Sequence, residues 1–210
     1  MFATFCASFG MRHIHTLALL TCVAYACNTP DPGTMPDHAH LPAFATGTTL
    51  NAVIEIPAGT VEKREYDAAT RSFPVSMRDG KPRRLHFLPY PANYGFVPGT
   101  RMHKEQGGDG DAVDLFVLCG AVPSGTGLEV EPIGIIELLD AGERDDKLVA
   151  LPVDPALRTM QATDMEQLPQ AARDILVTWL LNYDPVDSAR HVSVKGKEDA
   201  VATVRRWLTP

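Results

Sequence analysis

The residues best suited to chemistry are Gly107-Gly108-Asp109-Gly110-Asp111-Ala112-Val113-Asp114. Three carboxylates fall within six residues at the mouth of the apolar run Val113 to Cys119. Packed so closely they repel, and each favours its protonated form unless a cation intervenes. Mg²⁺ meets that need, because it takes oxygen ligands and a few carboxylates. The glycines allow the loop to fold back so that the side chains converge. A solvated acidic turn has the same composition. A calcium loop does not fit, since its fifth and twelfth positions would be Val113 and Gly120, where carboxylates are required.

A second acidic cluster, Asp140-Ala141-Gly142-Glu143-Arg144-Asp145-Asp146-Lys147, lies between two apolar runs. A surface hairpin would read similarly. Two such clusters, each at a strand end, suggest one shared site for more than one ion, and polynuclear magnesium sites serve phosphoryl and phosphoanhydride chemistry. Phosphate oxygens then need cations and donors. Candidates are Lys63, Arg64, Lys81, Arg83, Arg84 and Lys147, with phenols from Tyr90-Pro91-Ala92-Asn93-Tyr94-Gly95 in a rigid turn. Taken singly, a basic run is a solvated turn and an aromatic-proline stretch a packed corner.

The elements that must position these residues are short strands followed by helices. Val53 to Ile56 reads as a strand stopped by Pro57; Glu62 to Asp67 and Phe73 to Met77 are further candidates, with Arg78 to Pro82 as a turn. Val113 to Cys119 is a buried strand, Leu128 to Leu139 a long one bent at Pro132 and Gly134, and Leu148 to Leu151 a short one. Leu168, Ala172, Ile175, Leu176, Trp179, Leu180 and Tyr183 recur every three or four residues, which predicts an amphipathic helix from near Pro169. Val201, Val204 and Leu208 mark a second helix over 198–208. Strands first and helices last indicate an α+β fold, an antiparallel sheet or small barrel flanked by helices.

The N-terminus carries an address. Residues 1–26 hold one charged side chain, Arg12, then the apolar run Leu17 to Ala26, too short for a permanent span. Met11 directly precedes Arg12 and is a second candidate start. Ala24-Tyr25-Ala26-Cys27 resembles a bacterial lipoprotein signal with lipidation at Cys27; an ordinary signal peptide is the alternative. Residues 27–49, rich in Pro, Asp, Thr and Gly, are expected to form a flexible tether, with His38 and His40 solvated in it, and the domain occupies 50–210. The expected location is the periplasmic side of a bacterial membrane, with membrane contact only through the lipid.

With 210 residues and 45% hydrophobic side chains, the chain can build one real core. Its 19 basic and 26 acidic residues argue against nucleic-acid binding by phosphate neutralisation, and removing the signal shifts the charge from −7 to −8. Only Cys119 would remain unmodified, so no disulfide is expected, and it reads as a small core residue.

In order along the chain, Ile54-Glu55-Ile56-Pro57, Lys63-Arg64-Glu65, Gly80-Lys81-Pro82-Arg83, Asn93-Tyr94-Gly95, Asp109 to Asp114, Asp140 to Lys147 and Asn182-Tyr183 resemble the soluble, metal-dependent inorganic pyrophosphatases. The resemblance spans roughly Val53 to Leu208. It implies a five-stranded antiparallel, OB-like β-barrel with two C-terminal helices, Mg²⁺ as cofactor with Mn²⁺ as a substitute, pyrophosphate as substrate, and a homo-oligomer. It implies Asp109, Asp114, Asp140 and Asp145 as metal ligands and Glu55 and Glu65 as carboxylates acting through bound water. Asp111 matches the general base, and Lys63, Arg83, Tyr94, Lys147 and Tyr183 match substrate-binding positions.

One departure is plain. The family follows its helix tyrosine with lysine, whereas Tyr183 is followed by Asp184. The exchange predicts a slower enzyme, with a cation from elsewhere, such as Lys195 or Lys197, in compensation. Two other readings stay open at this stage. One is an exported hydrolase of another phosphoanhydride or phosphoester; the other is a metal- or phosphate-binding module without turnover.

Overall fold

A computed structural model of the chain describes residues 37–184 and 189–210. The expected signal, the lipidation site Cys27 and the first part of the tether lie outside the described residues. Five strands form a ring: β1 (Thr49–Ile56), β2 (Asn93–Val97), β3 (Val113–Val117), β4 (Gly127–Asp140) and β5 (Lys147–Pro152). β1 pairs with β2, β2 with β3, β3 with β5, β5 with β4, and β4 returns to β1. The barrel is therefore closed, and each of its five strands is paired on both sides.

The expected five-stranded antiparallel, OB-like barrel is present with one exception, since β3 and β5 run parallel. Strand directions cannot alternate all the way round a ring with an odd number of members. One seam must join two strands of the same sense, and here it is β3–β5.

Alternation along the strands divides the core in two. Val113, Leu115 and Val117 of β3 and Leu148 and Ala150 of β5 join a cluster with Ala200, Val204 and Trp207. Phe116, Val149 and Leu151 face the opposite way, against Leu176, Trp179 and Leu180. Both faces are buried, which is why these strands read as continuous apolar runs. β4 bends where its register to β5 shifts between Pro132 and Gly134, at the residues that predicted it. Its second half pairs with β6 (Arg190–Gly196), a strand the sequence pattern did not reveal.

The helices are α1 (Gln170–Leu180) and α2 (Lys197–Arg206). α1 buries Leu176, Trp179 and Leu180 but leaves Ile175 exposed, and the stripe of α2 ends on the buried Trp207 rather than on exposed Leu208.

Two expected strands are absent. Residues 62–67 are joined to their neighbours by isolated bridges, such as Arg64 with Val75 and Glu62 with Arg84, and of residues 73–77 only Met77 enters a strand, the two-residue arm Met77–Arg78. Phe73 is the one buried apolar residue in either, so neither has a face to dock. Asn93 to Gly95, read as the end of a rigid turn over Tyr90 to Gly95, belong instead to the barrel strand Asn93–Val97. Gly95 explains the disguise: a Cβ there would lie 1.9 Å from the Val53 carbonyl oxygen of β1, so only glycine permits the pairing.

The tether also ends earlier than its composition suggests. Phe44–Thr46 pairs with β1, Ala43 is buried, and His38 packs against Tyr66 and Phe73 at ring separations of 5.5 and 5.7 Å. His38 is buried rather than solvated, and its burial lowers the imidazole pKa. Two neighbouring aromatic side chains, Tyr66 and Phe73, enclose the ring, a contact no composition rule detects. His40 is exposed, as expected. Cys119 is half-buried, with its sulfur 3.2 Å from the Asn93 amide nitrogen.

Candidate active site

The two acidic clusters meet at the parallel seam. Register places Asp114 of β3 beside Lys147 of β5, and Phe96 of β2 on the other side of Asp114. Lys147 Nζ donates to Asp114 Oδ2 at 2.7 Å and to Asp145 Oδ1, while the Tyr94 hydroxyl donates to Asp114 Oδ2 at 2.5 Å. The loop before β3 turns at Gly110, whose φ of +95° suits glycine. The Asp111 amide then donates to Asp109 Oδ1 at 2.9 Å, and the backbone bonds Gly110 N–H to Met102 O and Met102 N–H to Asp111 O pin the turn.

Asp109, Asp111, Asp114, Asp140 and Asp145 line one cavity of about 230 Å³ together with Lys63, Arg83, Lys147, Tyr94 and Tyr183. A contiguous cavity shares Lys63, Tyr94, Asp111 and Asp114 and adds Glu55 and Glu65. The structure thus brings together every site residue expected from the sequence, save Cys27, which lies outside the described residues. Three more join them: Arg78, Ala141 and Glu143 line the first cavity. Glu143 sits in a cluster already conspicuous in the sequence. Arg78 flanks the Asp79-Gly80 turn, a signal for a hairpin but not for a site. A larger cavity of about 470 Å³ between α1 and β6 is lined by mixed charges and apolar residues and contains none of these groups. Volume alone does not mark the chemistry.

Lys195 lines that other cavity, donating to Glu137 at 3.1 Å, so the cation expected to compensate for Asp184 is not Lys195. Lys197 caps Asp164 with its backbone N–H, again away from the acidic cavity. Asp184 itself accepts from Arg78 Nη1 at 2.9 Å and lies 3.6 Å from Arg83 Nη2.

The electrostatics show a demand for positive charge. Burial, then the Asp114 charge, pushes Glu55 up to about 8, although its Oε1 accepts the Tyr66 amide at 2.7 Å. Burial and the charges of Asp145 and Asp114 push Asp109 up to about 7, and burial with Asp114 raises Asp111. For Lys147 burial works against the ammonium, but Asp114 and Asp145 outweigh it and hold the charge. Burial and Asp114 raise Tyr94, which therefore keeps its proton and donates it.

Among the described residues no three acidic or histidine side chains already converge on one point. Lys147 fills the space between two of them. The donor set nonetheless fits hard divalent cations: it is all carboxylate and crowded, and burial raises Glu55, Asp109 and Asp111 above the ordinary carboxylate range.

A family model for inorganic pyrophosphatase matches residues 52–209. The chain belongs to the inorganic pyrophosphatase family. It is 32% identical over 162 residues to the inorganic pyrophosphatase of Sulfolobus acidocaldarius, covering 75% of this chain and 86% of that one. It is 39% identical over 138 residues to soluble inorganic pyrophosphatase 2 of Chlamydomonas reinhardtii, covering 64% and 65%. Among solved structures, the inorganic pyrophosphatase of Helicobacter pylori superposes with a TM-score of 0.69 at 29% identity, over 80% of this chain and 96% of that one. The closed barrel with two helices is thus a pyrophosphatase fold.

Proposed function

We propose that the chain hydrolyses inorganic pyrophosphate to two phosphates with Mg²⁺. The observation that carries this reading is the division of one cavity between five aspartates and a set of cations and phenols. Asp109, Asp114, Asp140 and Asp145 would hold the ions, and Glu55 and Glu65 would act through water. Bound Mg²⁺ would neutralise phosphate charge and acidify a water to near-neutral pKa.

Asp111 receives the proton of the attacking water; its raised pKa brings it nearer the working pH, as a general base requires. The water oxygen forms a bond to one phosphorus, the anhydride P–O bond breaks, and the second phosphate leaves. Lys63, Arg83 and Tyr183 offer donors to the phosphate oxygens, and Tyr94 and Lys147 join them from the acidic side. Lys147 bridges Asp114 and Asp145, and with metal ions held at those carboxylates its ammonium would be available to phosphate.

The test is phosphate release from pyrophosphate by the full chain, with and without Mg²⁺, beside Asp111→Asn, with ATP and a phosphomonoester as competitors. Magnesium-dependent release that prefers pyrophosphate and fails in the variant is expected. Equal or better turnover of a competitor would overturn the substrate.

We further infer export to the periplasmic side of a bacterial membrane with a lipid at Cys27. The apolar run Leu17 to Ala26 before a cysteine supports this. Lipid labelling of the full chain in a bacterial host, lost in Cys27→Ala, is the expected result. An unlabelled, fully cytosolic protein would refute it. Assembly with further copies of the chain is the expected quaternary state, read by light scattering.

A further inference from the structure

The basic wall of the site contains a side chain to which the family resemblance assigns no role. Arg78 stands on a two-residue arm, Met77–Arg78, paired antiparallel with Lys81–Pro82. Asp79 and Gly80 between them have φ of +53° and +73°. Two successive left-handed residues make the tight hairpin turn that matches strand twist, and Asp-Gly is a preferred pair for it. The arm lies outside the barrel, yet Arg78 reaches back 106 residues along the sequence to Asp184, just beyond α1.

The same Asp184 oxygen is 2.9 Å from Arg78 and 3.6 Å from Arg83, and the Asp184 side chain is only 15% exposed. Arg78, Arg83, Lys63 and Tyr183 together line the cavity that holds the aspartates, and also the adjoining one toward the hairpin.

Two explanations compete. As a stabilising ion pair, Arg78–Asp184 would achieve little, because Arg78 is 39% exposed and such pairs are weak in water. As a device for binding phosphate, its parts have a use. The anion at position 184 would repel substrate, but Arg78 and Arg83 both stand against it at the cavity wall. A guanidinium presents its N–H donors in a planar fork that suits phosphate oxygens, and Arg78 lines the cavity beside Lys63, Arg83 and Tyr183. Lys147 is engaged by two aspartates, and Arg83 lies 3.6 Å from Glu65 as well.

We propose that Arg78 is a further phosphate-binding residue of the site, and that Asp184 is a positioning residue holding Arg78 and Arg83 at the cavity wall. The proposal rests on the pyrophosphatase reading and refines its substrate contacts.

The experiment uses the full chain with Mg²⁺, measuring initial rates with pyrophosphate and calorimetric binding of inorganic phosphate. Arg78→Gln is expected to raise KM about tenfold and weaken phosphate binding by a similar factor, as loss of a hydrogen bond to a charged group does, with kcat nearly unchanged. Arg78→Lys restores part of the affinity, since it returns the charge without the fork. Asp184→Asn moves KM the same way by less. Combining Arg78→Gln with Asp184→Lys is expected to recover most of the affinity, by returning a cation from the helix side. Partial recovery by Arg78→Lys at an unchanged melting temperature is the outcome that a structural role alone would not produce.

Unchanged KM and phosphate affinity in Arg78→Gln, with melting temperature as in the parent chain, would overturn the proposal. If the unmodified chain does not cleave pyrophosphate, the parent reading fails, and phosphate calorimetry still decides Arg78. A chain that neither cleaves pyrophosphate nor binds phosphate overturns both.

Discussion

The acidic and basic walls of the cavity are built by different means. The acidic wall grows out of the barrel: Asp114 and Lys147 face each other through strand register, and Asp109 and Asp111 hang on a loop pinned by backbone bonds to Met102. The basic wall comes from outside the barrel. Lys63 lies on a bridge-stitched segment, Arg78 on a hairpin, and Tyr183 and Asp184 beyond the end of α1, with Arg78 and Arg83 both set against Asp184. Damage to the first wall should therefore cost both chemistry and stability, and damage to the second mainly affinity.

The largest effect is expected at Asp111, on the acidic wall. Asp111→Asn should lower kcat by about 10²–10⁴-fold, the usual contribution of a positioned proton acceptor, with KM little changed. A drop in affinity instead would move Asp111 to the binding side of the comparison. Next is Lys147→Met, which leaves Asp114 and Asp145 without their common cation. In metal-free protein it should destabilise the fold by about 3–5 kcal/mol, the scale for breaking a buried pair. Denaturant unfolding with and without Mg²⁺ checks it, because ions at the same carboxylates should recover much of the loss.

On the basic wall, Arg83→Gln should raise KM by about 10- to 100-fold while the unfolding midpoint hardly moves. A large stability loss there would erase the distinction between the walls.

A pH effect sharpens the acidic side. Glu55 has an ordinary pKa near 4.5 and stands at about 8 in the fold. Its protonated form therefore stabilises the metal-free protein; that contribution is complete below about 4.5 and is lost as pH rises through about 8. The melting temperature of Glu55→Gln should accordingly gain on the parent between pH 5 and pH 9, and Mg²⁺ should narrow the gap. The smallest effect is expected at the exposed Lys104–Glu143 contact, 4.0 Å long, where Lys104→Ala should change stability by no more than about 1 kcal/mol.

The same contrast explains what the sequence disclosed. The acidic wall was legible because its residues are contiguous, sit beside strong strands, and have a charge density that only cations relieve. The barrel's long bent strand announced itself through Pro132 and Gly134. Residues 44–46, Asn93–Val97 and Arg190–Gly196 were not read as strands, since each is short, none is a continuous apolar run, and each is recruited by neighbours. Arg78 was visible only as a residue beside a turn, because its role depends on a partner 106 positions away. His38 was misread for the same reason: its aromatic surroundings exist only after folding.

The parallel seam reaches beyond topology. Asp114 and Lys147 both stand at or near the beginning of their strands, so the loops leading into β3 and β5 emerge at the same end of the ring. Side-by-side strand beginnings are available only where two neighbours run in the same sense; antiparallel neighbours place a beginning against an ending. The meeting of the two acidic loops is thus a matter of parity. Anyone transplanting this site to another barrel would need an odd ring, or some other parallel junction, before choosing a single side chain.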